Sequence, residues 1–311
     1  MAKYRILSLD GGGIRGLLTL VLMQRLEAAA PGWLEQTDLI AGTSTGGIIA
    51  IGLAAGLNTA ALRLLYQEHC HEVFEDSLID DILDLGMLSG AEYDGRHLAR
   101  LLHTTLGDVT LGQLGKKVVI SAFDLDNEAA APALRTWKAK FFHNFDGPDS
   151  DGAVPAHRVA LYTSLAPTYF PAVDGYIDGG VVANNPSLAA LAQTQDERLE
   201  VPGRPALEEI VLLSLGTGVL PQYIAGDVLD WGLLQWARNL VPLMLDGGNE
   251  VASYQCRQLL GGRFERLSPL LGARIELDDC GAMGRLVRIA ERADIGRTAA
   301  WLQAHWLPDD A

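Results

Sequence analysis

The chain is poor in cysteine, in basic residues and in aromatics, and no apolar run is long enough to cross a bilayer. Each scarcity excludes something. Only three cysteines occur in 311 residues, Cys70, Cys256 and Cys280. They are odd in number and widely spaced, so neither a disulfide framework nor a C-x-x-C metal site is expected. Buried thiols in a reducing compartment are expected instead. Lysine and arginine number 24 against 39 aspartates and glutamates, a formal charge of −15. That balance argues against nucleic acid, whose phosphates are bound by clustered cations. It also disfavours tight docking on anionic membranes and leaves open a transient contact with a neutral or zwitterionic surface. The longest apolar stretch, around Gly46 to Leu57, is too short to span a membrane. Met1-Ala2-Lys3-Tyr4-Arg5 leads directly into a strand with no signal-peptide pattern, so a cytoplasmic location is expected.

What is present builds a large core, with hydrophobic residues at 49%. Strand patterns at 4–9, 37–41, 117–123, 133–144 and 209–215 alternate with helical patterns at 17–30, 46–56, 59–71, 94–106 and 156–165. Alternation of this kind predicts an α/β fold, three layers deep, with a mostly parallel central sheet between helices. The stretch from 230 to the end reads as mostly helical. No repeat, low-complexity tract or linker interrupts the chain, so residues 1–311 read as one domain. Residues 77–90 mix acids with leucines and read as an amphipathic surface segment or a lid.

Two glycine turns stand out. The second, Gly42-Thr43-Ser44-Thr45-Gly46, is a G-x-S-x-G turn between a buried strand and a helix. Such a bend lifts its serine out of the fold, and the helix N-terminus behind it favours developing negative charge. Gly42 and Gly46 are required because the bend leaves no room for side chains. Ser44 is therefore either a nucleophile or an ordinary helix cap. The first turn, Asp10-Gly11-Gly12-Gly13-Ile14-Arg15-Gly16, fits the dinucleotide fingerprint G-x-G-x-x-G after a strand and before a helix. A row of oxyanion donors is the rival reading. The dinucleotide pattern wants an acid at the end of the second strand. Ser44 occupies that end, and Asp38 lies at the other. A phosphate-binding P-loop is excluded, because neither turn is followed by Gly-Lys-Ser or Gly-Lys-Thr.

A serine nucleophile needs a proton acceptor. None of the seven histidines sits in a turn after a strand. His305 satisfies the chain order Ser…Asp…His but falls in a terminal helical pattern. The better candidate is Asp178, in Asp178-Gly179-Gly180 on a tight turn, although Asp174-Gly175 also allows it to be a plain turn former. Asn184-Asn185-Pro186 then opens a helix, with Asn185 as its cap.

Taken together, Asp10-Gly11-Gly12-Gly13-Ile14-Arg15-Gly16, Gly42-Thr43-Ser44-Thr45-Gly46-Gly47 and Asp178-Gly179-Gly180 with Asn184-Asn185-Pro186 resemble the patatin-like phospholipase family. The resemblance covers about residues 4–220, and the last third carries no matching motif. It implies a serine–aspartate dyad with Ser44 as nucleophile and Asp178 as base, and an oxyanion region at Gly11, Gly12 and Gly13 with Arg15 nearby. Gly179 and Gly180 support the aspartate turn. The implied substrate is a lipid ester and the implied chemistry uses no cofactor and no metal. Leu78, Ile82, Leu85, Met87 and Leu88, with Trp231 to Trp236, are candidates to line the acyl groove. A dinucleotide-binding oxidoreductase and a non-catalytic lipid-binding protein are the alternatives.

Overall fold

The computed structural model describes residues 3–74, 91–198, 204–226 and 230–307, apart from the side chains of 233, 234, 237 and 238. Strands β1 (Tyr4–Leu9), β2 (Leu39–Thr43), β3 (Lys117–Asp124), β4 (Lys138–His143), β5 (Tyr176–Asp178), β6 (Ile210–Leu215) and β7 (Phe264–Leu267) form one sheet. Its order is β4-β3-β2-β1-β6-β7, with β5 beside β3. β1, β2, β3, β6 and β7 run parallel, while β4 and β5 are antiparallel to β3. Helices α1 (Gly16–Ala29), α2 (Thr45–Ala54), α3 (Thr59–Val73), α4 (Arg96–Leu106) and α5 (Ala156–Thr163) fall between the early strands. Helices α6 (Gly180–Ala183), α7 (Ser187–Thr194), α8 (Leu233–Leu260), α9 (Met283–Arg292) and α10 (Gly296–Trp301) follow β5.

Side chains alternate across a strand, so both faces of a central strand must be apolar if helices cover both. They are. Leu7, Leu9, Ile40, Val118, Ile120 and Leu213 face one core, which α2 and α5 share through Ile49, Ile51, Val159 and Ala160. Ile6, Leu39, Ala41, Val119, Ile210 and Leu212 face the other, closed by Ala190 and Leu191 of α7 and Cys256 and Leu260 of α8. A third cluster packs Leu18, Val21 and Leu22 of α1 against Leu286 and Ala290 of α9. This is the expected three-layer α/β arrangement. Among the described residues no helix is long and apolar enough to cross a membrane.

One expectation is corrected. Cys70, near the end of α3, and Cys280, in a single turn of 3₁₀ helix before α9, form a disulfide with a Cα–Cα distance of 5.9 Å. Only Cys256 is a buried free thiol. The pair is 210 residues apart in sequence, so nothing local marks it, and the ground for expecting a reducing compartment falls away. The C-terminal third is mostly helical. It contributes β7, which pairs with β6 from Leu212↔Phe264 to Leu215↔Leu267. Glu265 and Arg266 interrupt its apolar pattern because they are bound inward, Glu265 to Arg297 at 2.8 Å and Thr298 at 3.0 Å, and Arg266 to Asp10. Residues 77–90, read as a surface segment or lid, lie outside the described residues.

Candidate active site

Three neighbouring parallel strands end at one edge of the sheet. Leu9 of β1 is in register with Gly42 of β2 and with Leu215 of β6. Ligands bind at the carboxyl ends of such strands. Here the turns that follow are Asp10–Gly16, Gly42–Gly46 and Gly216–Gly218.

β3 brings Ser44 and Asp178 together. β4 takes one flank of β3 from Val119 to Asp124. β2 takes the other flank from Lys117 to Ser121 and stops at Thr43. β5 arrives antiparallel on that same flank and stops with Asp178 opposite Ala122. The residue after β2 and the last residue of β5 therefore meet end to end. Ser121, where the two strands change over, is buried, and its hydroxyl shares a short hydrogen bond with that of Thr43. The Thr43 hydroxyl also donates to Ala183 O at 2.6 Å.

Ser44 has φ 54° and ψ −126°, a backbone conformation an L-residue adopts only under constraint. Its side chain makes no capping bond to α2, which argues against the helix-cap reading. Its N–H donates to Thr163 Oγ1 at 2.8 Å, and that hydroxyl donates to Ser121 O at 2.6 Å. Close approach explains the flanking glycines. A β-carbon on Gly42 or Gly46 would fall less than 3.0 Å from backbone, that of Gly46 in one case and the Leu9 carbonyl in the other.

Asp178 is 5% exposed. Its Oδ1 accepts the Gly180 N–H at 2.7 Å. Burial pushes its carboxyl up to about 6, and the Ser44 hydroxyl and the Gly180 N–H, both favouring the anion, hold it from rising further. Gly179 is held so close to Ser121 O that a β-carbon there would clash. The plain-turn alternative does not describe Asp178, because the turn lies earlier, at Asp174 (φ 51°) and Gly175 (φ 81°). Asn185 Oδ1 accepts the Ser187 N–H at 3.1 Å at the start of α7, as a cap would.

The first glycine turn is fastened from outside. Asp10 lies 3% exposed in a two-pronged ion pair with Arg266, with contacts of 2.6 and 3.2 Å. Thr217 Oγ1 donates to Gly11 O at 2.8 Å, and Ile14 N–H to Leu277 O at 2.7 Å. Gly11, expected among the anion donors, gives its N–H to Asn184 O at 3.0 Å. A β-carbon there would collide with Asn184 Oδ1 and stand 3.2 Å from Ser44 Cβ. The Gly12 and Gly13 N–H groups have no acceptor among the described residues. Arg15 Nε donates to Gly12 O at 3.3 Å. Burial pushes its guanidinium pKa down, while Asp246, Glu276 and Asp10 pull it back up.

An apolar cavity opens from Ser44 and Gly13 between α3 and α4, walled by Leu62, Tyr66, Val73, Leu98, Leu102 and Phe170. Apolar pockets with a few polar groups at one end are the usual form of small-molecule sites. Trp231 and Trp236 pack on each other with ring centroids 5.3 Å apart and neither lines the cavity. Leu78, Ile82, Leu85, Met87 and Leu88 lie outside the described residues, as do the side chains of Leu233 and Leu234. Among the described residues no histidine bonds to Ser44 or Asp178. His305 packs on Trp301, and His69, which touches the cavity, pairs with Glu72. Asp38 caps the wrong end of β2 for a ribose, accepting the Arg5 N–H at 2.7 Å. Thr163, Thr217 and Arg266 went unnoticed in the sequence because each acts from a distant segment and sits in no motif.

Residues 7–191 match the family model described as patatin-like phospholipase, a stretch that holds both glycine turns and Asp178. Protein teg of Priestia megaterium is 28% identical, with 98% of this chain and 100% of that protein covered. A cGAMP-activated phospholipase of Pseudomonas aeruginosa is also 28% identical, with 95% of this chain and 84% of that protein covered. Among solved structures, VipD from Legionella pneumophila aligns with a TM-score of 0.46 at 11% identity, covering 98% of this chain and 67% of that one. The chain belongs to the patatin-like phospholipase family, which comprises serine lipid acyl hydrolases.

Proposed function

We propose that this chain hydrolyses carboxylic esters of phospholipids or related glycerolipids through Ser44 and Asp178, with residues 1–311 acting as one catalytic unit. The observation that carries the reading is the buried Asp178 carboxyl against the Ser44 hydroxyl, with its pKa pushed up to about 6. At the ordinary 3.8 an aspartate is a weak base. Near 6 it is still ionised at neutral pH and is better matched to a hydroxyl proton.

The steps follow from the geometry. An acyl chain enters the apolar cavity and sets its ester carbonyl at Ser44. Asp178 takes the hydroxyl proton as Ser44 Oγ bonds the carbonyl carbon. The electron pair displaced onto oxygen meets the unpaired N–H groups of Gly12 and Gly13, and fixed donors of this kind stabilise such a charge without reorganising. Collapse of the intermediate expels the alcohol, which leaves with the proton from Asp178. Water then attacks the acyl-enzyme, Asp178 accepts its proton, and that proton returns to Ser44 as the fatty acid departs. Arg15 lies behind the donors and adds positive potential. Contact with a lipid surface is transient, in keeping with the acidic charge.

Turnover of nitrophenyl esters and of phospholipid vesicles tests this. Ser44→Ala and Asp178→Asn each lower kcat by about 10⁴-fold or more with the fold intact, and a fluorophosphonate labels the wild type but not Ser44→Ala. Activity retained in Asp178→Asn together with its loss in His305→Ala would falsify the dyad.

A further inference from the structure

α4 carries His103 in its last turn. Gly107, at φ 60°, ends that helix and swings the chain back, and its N–H caps His103 O at 2.8 Å. Asp108 is thereby returned to His103, with Oδ1 3.2 Å from Nε2. His157, in the first turn of α5, stands against the same corner, its ring 4.8 Å from that of His103 between centroids. One ligand atom from each of His103, Asp108 and His157 lies within 4.8 Å of the other two.

The bond at His157 prepares the set, while the proton that His103 Nε2 shares with Asp108 Oδ1 is released to water when an ion takes its place. His157 Nδ1 faces Gly107 O at 3.0 Å. A carbonyl only accepts, so Nδ1 carries the proton and Nε2 keeps its lone pair. Metal-ligating histidines are oriented in this way, by a carbonyl at the nitrogen away from the ion. Two imidazoles and one carboxylate match the borderline character of zinc rather than the all-oxygen preference of calcium or magnesium. Zinc sets its ligand atoms about 3.4 Å apart around a tetrahedron. Closing from 4.8 Å needs only small side-chain rotations, and the His103 and Asp108 side chains are 55% and 93% exposed and free to make them. The fourth position would be water.

We propose that His103, Asp108 and His157 form a binding site for a divalent transition-metal ion of the zinc type, separate from the Ser44 crevice. The ion fastens α4 to α5. α4 walls the apolar cavity through Leu98 and Leu102, and α5 ends at Thr163, which holds the Ser44 N–H. The ion is therefore a clamp on the two helices that shape the crevice and takes no part in the chemistry. The proposal stands independently of the reading of Ser44 and Asp178.

The test uses the full chain stripped with EDTA and titrated with zinc chloride by calorimetry, with melting followed in parallel. The wild type binds one zinc per chain saturably, and its melting temperature climbs with zinc concentration, because an ion that binds only the folded state stabilises it by mass action. His157→Ala and Asp108→Asn each weaken binding by about tenfold or more and flatten the melting response. Asp108→Asn is so exposed that folding is not in question. Cobalt in place of zinc gives visible bands that His157→Ala abolishes. Absence of saturable binding, or equal affinity in the wild type and both variants, overturns the site.

Discussion

The two glycine turns look alike in sequence and end neighbouring strands, yet their glycines do different work. In the Gly42–Gly46 turn the glycines clear space. Backbone crowds both positions, and the functional group is the side chain between them, on a backbone forced to φ 54°. In the Asp10–Gly16 turn the proposed role falls on the glycines themselves. Gly11 gives its N–H to Asn184, and among the described residues those of Gly12 and Gly13 have no acceptor. On the proposed reading one turn presents a nucleophile and the other presents donors. The same residue type therefore serves once through the side chain it lacks and once through the N–H it exposes.

That contrast makes unequal demands on substitution. The largest effect is expected at Gly46, where an added β-carbon meets the fixed carbonyls of Leu9 and Asp10. Gly46→Ala is expected to destabilise by more than about 4 kcal/mol, read as loss of the denaturation transition or of soluble protein. At Gly12 the obstacle is a side chain, that of Thr217, rather than backbone, and Gly12→Ala is expected to cost about 1–3 kcal/mol. Equal losses at the two positions would break the comparison.

Next in size is the carboxylate that both turns surround. A carboxyl with a folded pKa of about 6 against 3.8 unfolded holds an extra proton in the folded state between those values. Its contribution is thus full below about pH 4 and is lost as pH rises through about 6. Asp178→Asn keeps the shape without the charge. It is expected to be more stable than the wild type at pH 8 by about 2–3 kcal/mol, two units at 1.36 each, and to match it at pH 3.5. Denaturant midpoints at the two pH values decide this, and the acid limb of kcat/KM in the wild type should fall with a midpoint near 6. The smallest effect is at the strained serine. Ser44→Gly relaxes φ 54° and is expected to add about 1 kcal/mol of stability while removing turnover. An unchanged or lowered denaturation midpoint would show that the backbone there stores no strain.

The turns were legible because glycine, serine and aspartate at fixed spacing between apolar runs leave few foldings open. The strands beside them were legible for the same reason: Ile210 to Leu213 is apolar on both faces, as a strand covered by two helical layers must be. What stayed hidden depends on contacts between distant segments. Cys70 and Cys280 become partners only when α3 and the turn before α9 are packed on α1. β7 was invisible because its charges are satisfied across the fold by Asp10, Arg297 and Thr298. Thr163 sits at the end of an ordinary amphipathic helix, and nothing in its neighbourhood signals that its hydroxyl receives the Ser44 N–H. That Trp231 and Trp236 do not line the cavity was not legible, because apolar content says where such groups exist and not which of them face a void.

Much of the outer wall of the first glycine turn comes from beyond residue 191, where the match to the family model ends. Thr217 grips Gly11, Arg266 neutralises Asp10, and the Leu277 carbonyl receives Ile14. A chain cut at that boundary would keep every signature by which its family is known and lose the mould that gives the turn its shape.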